Sequence, residues 1–380
     1  MATRTAIVVG GGIGGLTAAV ALRDKGWEVT LVERAPSLEP VGAGLALGPN
    51  ALRALDTLGL GDPVRELAAF QGDAGIRRAN GAWLSRTSAE AAAARYGDPT
   101  VLLMRSALVD LLTARLDRDA MLLGTPVTGV DPDLGTVRTE DGRELRADLV
   151  VAADGIRSAI RATAFPDHPG PEYAGVTAWR FVVDVDEPPM PSETWGRGLV
   201  FGVMPLAGNR VYCYMTAAVP AGASAPDGEK AEITRLFGTW HTPIPELVAK
   251  AGPILRNDVH HLRRPLPAMH RGKVALLGDA AHPMTPNLGQ GACQAVEDAI
   301  VLAHEVTGGG GLEAYSAARL PRTSAIVKQS AGIARMTRLS NPLVVAARDA
   351  AIRAVGLLGP TALLRQGDAA FLWTPPGTAG

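Results

Sequence analysis

A glycine-rich stretch directly after a short apolar strand is the feature that most limits how this chain can fold. Residues 7–16 read IVVGGGIGGL, and Gly10, Gly12 and Gly15 fit the spacing G-x-G-x-x-G between a predicted strand and a helix predicted over residues 16–23. Such glycines let the backbone turn tightly and approach a pyrophosphate, whose charge the helix N-terminus stabilises. The sequence therefore predicts a dinucleotide site near its start.

The next strand adds an acidic residue to this site. Residues 27–32 read as a second strand, and Glu33 follows it at the position where a carboxylate accepts hydrogen bonds from a ribose. The predicted nucleotide contacts here are Gly10, Gly12, Ile13, Gly14, Gly15, Glu33 and Arg34. Because FAD and NAD both carry adenosine diphosphate, this motif alone does not choose between them.

A later apolar strand, over residues 274–277, leads through Gly278 to Asp279. A carboxylate at a strand end can hydrogen-bond a polyol that lies across the strand tips, and the ribityl chain of FAD is such a polyol, whereas NAD has none. Residues 283–291 (PMTPNLGQG) then precede a predicted helix. Backbone N–H donors and a positive helix end suit the N1–C2=O2 edge of a reduced flavin, so this segment favours FAD.

Three segments together resemble a known family. GGGIGGL, ADGIRS and LLGDAAHPMTPNLGQG are similar to the dinucleotide, DG and GD fingerprints of single-component FAD-dependent aromatic hydroxylases, the p-hydroxybenzoate hydroxylase-like flavoprotein monooxygenases that include salicylate and 3-hydroxybenzoate hydroxylases. The resemblance covers roughly residues 4–330 and is weaker between 165 and 265. It implies that Arg105 reaches the FAD ribose or pyrophosphate, that Asp154 lies behind the pyrophosphate, and that Asp279 binds the ribityl chain. The residues expected to border the isoalloxazine are Pro286, Gly289, Gln290, Gly291 and Ala292.

The resemblance also implies a reaction. It predicts an FAD- and NAD(P)H-dependent monooxygenase that uses O2, through a flavin C4a-hydroperoxide, to hydroxylate a small aromatic (phenolic) or similarly electron-rich molecule. NAD(P)H is expected as a transient co-substrate, since no second G-x-G-x-x-G follows residue 150. The candidate catalytic residues are Arg180, Tyr212, His241 and Pro286, with Tyr214 on the same strand face as Tyr212.

Two other functions stay open from the sequence. One is an FAD enzyme of the same fold that epoxidises an alkene or reduces a prenyl double bond. The other is a flavin-binding regulator without turnover. The substrate, and the choice between NADH and NADPH, are likewise undetermined.

The predicted architecture is α/β, with a Rossmann-like FAD-binding domain interrupted by a mostly antiparallel β-sheet substrate domain and followed by a helical C-terminal tail. The expected boundaries are 1–170 and 269–330 for the FAD-binding domain, 171–268 for the substrate domain and 331–380 for the tail. The substrate domain is predicted from alternating or β-branched runs between residues 176 and 216.

Bulk properties limit the partners. The net charge of −1 gives no field that would attract nucleic acid, and no apolar run is long enough to span a bilayer. Two cysteines provide neither a disulfide framework nor metal-ligand spacing, so no metal is expected and a cytoplasmic location is predicted. The sequence leaves the oligomeric state open, with a homodimer among the options.

Overall fold

A computed structural model describes residues 3–38, 43–68, 73–357 and 359–377. The strands are β1 (Thr5–Val9), β2 (Glu28–Val32), β3 (Gly44–Leu47), β4 (Ala74–Arg78), β5 (Trp83–Thr87), β6 (Val101–Met104), β7 (Met121–Leu122), β8 (Val127–Asp131), β9 (Thr136–Thr139), β10 (Glu144–Arg146), β11 (Leu149–Ala152), β12 (Glu172–Asp184), β13 (Ser192–Trp195), β14 (Leu199–Leu206), β15 (Arg210–Ala217), β16 (Leu255–His261), β17 (His270–Arg271) and β18 (Val274–Leu276). The helices are α1 (Ile13–Asp24), α2 (Pro49–Asp56), α3 (Gly61–Glu66), α4 (Ala89–Tyr96), α5 (Arg105–Thr113), α6 (Ala159–Ala164), α7 (Glu229–Phe237), α8 (Ile244–Lys250), α9 (Gly291–Gly308), α10 (Gly311–Thr337), α11 (Pro342–Leu357), α12 (Pro360–Leu364) and α13 (Asp368–Phe371).

A six-stranded sheet forms the centre of the predicted FAD-binding domain. Its order is β17-β18-β11-β1-β2-β7, and every neighbouring pair is parallel except β17 with β18. Four of the five residues of β1 are buried, as expected for a strand whose two faces are both covered. Helices α1 and α9 pack against each other beside the sheet. Because β1, β11 and β18 are parallel, the glycine loop after β1 and Asp279 after β18 lie at the same edge of the sheet.

A seven-stranded sheet forms the second unit, in the order β16-β12-β15-β14-β13-β4-β5. Its strand pairs are antiparallel apart from β13 with β4. Phe181, Phe201 and Cys213 point from one face into a core shared with α7 and α8. Because side chains alternate along a strand, Tyr212 and Tyr214 point to the other face.

Two of these strands come from a part of the chain that the sequence assigns to the FAD-binding domain. The hairpin β4–β5 lies within residues 1–170, yet β4 pairs with β13 through Ile76 opposite Glu193. The sheet therefore combines strands from both sides of the predicted boundary at 170. Sequence analysis predicted neither strand, because β4 and β5 carry three arginines and lack a clear apolar alternation.

Long helices connect and cover the two sheets. The helix α10 runs for 27 residues after α9, and α11 follows it beside β5. In the described part of the chain, no helix is both long and apolar enough to cross a membrane.

Candidate functional site

The glycine loop is packed so closely that side chains are excluded at two positions and admitted at a third. Gly10 has φ of +112°, and a Cβ there would lie 2.2 Å from the carbonyl oxygen of Ala153. A Cβ on Gly15 would lie 1.9 Å from the carbonyl oxygen of Gly10. A Cβ on Gly12, by contrast, would meet only the Nη2 atom of Arg105, at 4.0 Å. Gly12 thus borders open space, where a ligand can approach the backbone.

Glu33 holds this loop in place. One carboxylate oxygen accepts a hydrogen bond from the backbone N–H of Gly11 at 2.5 Å, and the other accepts from Ala35 at 2.8 Å. Each carboxylate oxygen has a second lone pair, so the side chain can still accept from a ribose hydroxyl. Arg34, next to it, is exposed.

Asp154 lies directly behind the loop. A Cβ on Gly10 would be 3.1 Å from its backbone nitrogen, which brings the DG segment into contact with the first glycine. The Oδ2 atom accepts from the backbone N–H of Ile160 at 3.2 Å, but the buried Oδ1 atom has no hydrogen-bond partner in the part of the chain that the structure describes. Burial raises the pKa of Asp154. An unpartnered buried oxygen is costly, and a donor from a bound ligand would satisfy it.

Asp279 begins the third segment and lies at the same edge of the sheet as the glycine loop. We refer to the surface between Gly12 and Asp279 as the groove. Asp279 is exposed to solvent, although protein atoms crowd its carboxylate. Burial raises the pKa of Asp279, and the charges of His282, Arg105 and Arg161 oppose that effect. The guanidinium of Arg161 donates to the carbonyl oxygens of Asp279 and Ala280, at 3.3 and 2.9 Å, and so fixes the turn.

The start of α9 forms the next part of the groove. Helices α1 and α9 both begin without a side-chain cap and without an acidic residue in the first turn. Their first N–H groups are free to bind an anion or a carbonyl oxygen. The side-chain oxygen of Gln290 instead accepts from Asn50 at 3.0 Å and from Gln294 at 3.1 Å, so this oxygen is already occupied by protein donors.

Cys293 ties this helix to β3. Its Sγ atom accepts from the backbone N–H of Gly48 at 3.4 Å and approaches the carbonyl oxygen of Ala46 at 3.8 Å. A Cβ on Gly289 would lie 3.9 Å from the Cβ of Ala46. Pro286 is exposed beside it, and Asn287 has a buried Oδ1 atom without a partner among the described residues. The loop before α9 therefore packs against β3.

These observations fit FAD. The groove joins a turn that admits a pyrophosphate, two uncapped helix starts, an unpartnered oxygen on Asp154, and the carboxylate of Asp279. Arg105 lies beside Gly12. Its charge lowers the pKa of both Asp279 and Tyr212, although burial has the larger, opposite effect on each. Arg105 is therefore close to all three residues.

One row of side chains crosses the second sheet and faces this groove. In register, Arg180 lies opposite Tyr214, Tyr214 opposite Gly202, and Gly202 opposite Glu193. A Cβ on Gly202 would be 2.1 Å from the Tyr214 ring, so the missing side chain lets that ring pass across the strand. The Tyr214 hydroxyl then donates to Glu193 at 2.9 Å.

Glu193 is the polar group at the far end of this row. It also accepts from the indole N–H of Trp195 at 2.6 Å, and burial raises the pKa of its carboxyl group despite these two donors. Sequence analysis missed Glu193, because a strand of four residues is too short to show an alternating pattern.

Tyr212 extends from the second sheet to β3, which precedes α2 in the predicted FAD-binding domain. A Cβ on Gly44 would be 2.5 Å from the Tyr212 ring, so the tyrosine packs on β3. Burial raises the pKa of Tyr212, and the nearby charge of Arg180 opposes that effect. Arg180 also donates to Asn257 at 3.2 Å. The structure thus brings two of the predicted catalytic residues together.

His241 does not join them. Its Nε2 atom lies 2.9 Å from the hydroxyl of Thr194, and its Nδ1 atom lies 2.7 Å from the carbonyl oxygen of Thr242. Thr194 and Glu193 are consecutive in β13, so their side chains lie on opposite faces of the sheet. His241 therefore lies on the opposite face of the sheet from Tyr212 and Arg180, and both of its ring nitrogens have partners.

Comparison with known proteins gives consistent results. The sequence matches the family described as "FAD binding domain" over residues 3–330. It is 40% identical over 361 residues to aurachin C monooxygenase/isomerase of Stigmatella aurantiaca, covering 92% of this chain and 94% of the relative. It is 34% identical over 363 residues to 3-amino-4-hydroxybenzoate 2-monooxygenase of Streptomyces cremeus, covering 91% of each chain. The fold is similar to that of Klebsiella pneumoniae HpxO in complex with FAD and uric acid, with a TM-score of 0.89, 29% identity, and coverage of 98% of this chain and 97% of that one.

Proposed function

We propose that this chain, which belongs to the FAD binding domain family and is an FAD-dependent monooxygenase, uses NAD(P)H and O2 to hydroxylate a small aromatic or similarly electron-rich molecule. The main support is the meeting of Gly12, Asp154 and Asp279 along one groove, although they are far apart in the sequence. The relatives support the substrate class, because an aminohydroxybenzoate and uric acid are both electron-rich ring compounds.

In this proposal FAD lies along the groove, with its adenosine end at the glycine loop and its flavin end near the start of α9. The glycine loop and the start of α1 bind the pyrophosphate, Glu33 the ribose, and Asp279 the ribityl chain. The loop before α9 borders the flavin ring. When bound, FAD supplies the redox chemistry, since it accepts a hydride from a nicotinamide and passes electrons to O2.

The row on the second sheet would receive the substrate. Tyr212 is protonated at neutral pH, because the ordinary pKa of tyrosine is about 10 and burial raises it further. Its hydroxyl can therefore donate a hydrogen bond to a substrate oxygen or accept one from a phenol. Val182 and Met204 lie opposite Tyr212 in register and give the same face an apolar surface. Such a surface excludes water, which would otherwise divert the reaction toward hydrogen peroxide.

The direct test follows NADH or NADPH oxidation and O2 uptake by the FAD-loaded protein, across phenols and hydroxylated N-heteroaromatic rings, with mass spectrometry of the products. We expect substrate-stimulated NAD(P)H oxidation, O2 uptake, and a product heavier by one oxygen atom. A product that gains hydrogen without O2 uptake would indicate a reductase instead. A protein that keeps FAD but oxidises no NAD(P)H across the panel would indicate a regulator without turnover.

Tyr212→Phe tests the role given to the second sheet. We expect the variant to retain FAD but to form less hydroxylated product per NAD(P)H consumed, with more hydrogen peroxide, because the substrate loses a positioning hydrogen bond. Tyr96→Phe is the matched control, since the Tyr96 hydroxyl donates to the carbonyl oxygen of Leu364, away from the groove. Equal product yields from both variants and the unmodified enzyme would contradict this role for Tyr212.

A further inference from the structure

A second cavity lies behind the segment that carries Asp279. It has a volume of about 630 Å³ and is enclosed by the first residues of β12, the end of β16 with the residues after it, and one face of α10. Binding pockets for small organic molecules typically measure about 300–1,000 Å³. None of Gly12, Arg105, Asp154, Tyr212 and Asp279 lines this cavity, so it is separate from the groove proposed for FAD.

The walls of the cavity are apolar and its rim is cationic. Buried Leu262, Leu266 and Val327 line the walls. Four cations stand around them against a single carboxylate, that of Glu172. The cations are Arg263, Lys328, Arg335 and Arg338.

The carboxylate compensates only one side of the rim. Glu172 lies 3.7 Å from Arg263 and 3.7 Å from His261, on the strand side of the cavity. On the helix side, Lys328 and Arg335 form no ion pair with any residue that the structure describes. They are seven residues apart on α10, with Ala331 between them, and so share one helix face.

The electrostatic effect of this rim reaches a neighbouring side chain. Burial lowers the pKa of His261, and the charges of Arg263, Arg335 and Arg338 lower it further, whereas Glu172 alone raises it. The rim thus has more cationic than anionic side chains, and their charges act on His261 together with the opposing charge of Glu172.

Two histidines form the floor of the cavity. His282 is 5% exposed and lines the cavity, and its Nε2 atom lies 2.5 Å from Asp298. His261 lines it as well, next to Leu262. The floor is therefore partly polar, whereas the walls are apolar.

We propose that this cavity binds an amphipathic organic anion, an apolar body with a single carboxylate, sulfonate or phosphate head. The apolar body packs on Leu262, Leu266 and Val327, while the head lies against Lys328 and Arg335. The floor also connects to the FAD groove, since Asp298 accepts from both His282 and the backbone N–H of Gly278. A ligand here would thus touch the support of the segment that carries Asp279.

The test uses the FAD-loaded protein and two fluorescent probes, 1-anilinonaphthalene-8-sulfonate and its uncharged analogue N-phenyl-1-naphthylamine. We expect Lys328→Gln combined with Arg335→Gln to weaken sulfonate binding by about tenfold and to leave the neutral probe unchanged, as removing two exposed charges predicts. Arg353→Gln, which removes an exposed charge from α11, is the matched control and should bind both probes normally.

Filling the cavity gives a second, independent arm. Ala331→Phe places a ring in the cavity and should reduce the binding of both probes. Displacement of the sulfonate by 1-naphthoate would indicate an aromatic acid as the ligand, and displacement by decanoate an aliphatic one. Three results would overturn the proposal. They are the absence of saturable sulfonate binding, sulfonate binding that is unchanged both in the double charge variant and in Ala331→Phe, and a failure of both acids to displace the sulfonate. These outcomes do not depend on turnover, so they are separate from the test of the monooxygenase activity.

Discussion

At the scale of single residues, glycine is required in the glycine loop for two different reasons. Gly15 packs against the carbonyl oxygen of Gly10, whereas Gly12 faces open space near Arg105. We therefore expect Gly12→Val to fold but to bind FAD poorly, because the new side chain occupies the path of the pyrophosphate. Gly15→Val should fail to fold, because a Cβ there would lie 1.9 Å from a backbone oxygen. Circular dichroism and the ratio of flavin to protein absorbance measure both effects, and a folded Gly12→Val protein with normal FAD content would contradict this placement.

Three of the predicted FAD-contact residues have a common property. Gly12, Glu33 and Asp279 each follow a buried apolar strand, and a strand of that kind fixes the position of whatever comes directly after it. Glu193 had no such marker. Its position depends on a register across four strands whose order in the sheet, β12-β15-β14-β13, differs from their order in the sequence. His241 was predicted from its residue type, which suits a base. Its position on the opposite face of the sheet becomes clear only from its contact with Thr194, because side chains alternate along β13.

At the scale of elements, a buried ionic network fixes α9 against α10. Arg319 is 1% exposed and contacts Asp298 at 2.7 Å, Glu297 at 2.5 Å and the side chain of Gln294 at 2.8 Å. Removing one partner from such a cluster leaves buried charges uncompensated, so Arg319→Met should lower the free energy of unfolding by about 3–5 kcal/mol.

An exposed arginine provides the matched control for that variant. Arg235 also contacts two carboxylates, those of Asp227 and Glu232, but its side chain is half exposed. Arg235→Met should cost less than about 1 kcal/mol, as is usual for surface pairs. Urea unfolding followed by tryptophan fluorescence compares the two variants, and equal losses would show that burial does not decide the effect.

The same network predicts a pH dependence. Burial alone would raise the pKa of Asp298, but the charges of His282 and Arg319 outweigh it and lower the value from 3.8 to about 2. The stability from this depressed pKa is therefore present above about pH 4 and is lost as the pH falls toward 2, an effect of about 2 kcal/mol. Asp298→Asn should differ most from the unmodified protein at pH 5 and progressively less in urea titrations at pH 4, 3 and 2.5. A difference that stays constant with pH would count against an ionised Asp298.

Element boundaries show what local sequence can and cannot predict. The βαβ unit was predicted because strand, glycines and helix are consecutive, although α1 begins at Ile13 rather than at residue 16. The hairpin β4–β5 was not predicted, since its pairing partner β13 lies more than a hundred residues further along the chain. Strands of this kind are stabilised by a distant neighbour, and their own residues carry little of the signal.

At the scale of the whole molecule, one ligand is expected to bridge segments that are remote in sequence. The adenosine diphosphate half of FAD would contact the loop at Gly12 and Glu33, and only the flavin half would reach Asp279 and the start of α9. A ligand that binds the native state alone stabilises it in proportion to the logarithm of its concentration. FAD at about 1,000 times its dissociation constant should add about 4 kcal/mol, which for 380 residues corresponds to a rise in Tm of about 5 °C.

Adenosine diphosphate distinguishes the two halves of the groove. At equal concentration it should raise the Tm less than FAD does, because it makes no contact beyond the pyrophosphate. Asp279→Ala should then reduce the shift produced by FAD while leaving the shift produced by adenosine diphosphate unchanged. Thermal unfolding of the apoprotein with each ligand measures this directly. Equal shifts from both ligands, or an equal loss of both in the variant, would mean that Asp279 lies outside the flavin half of the groove.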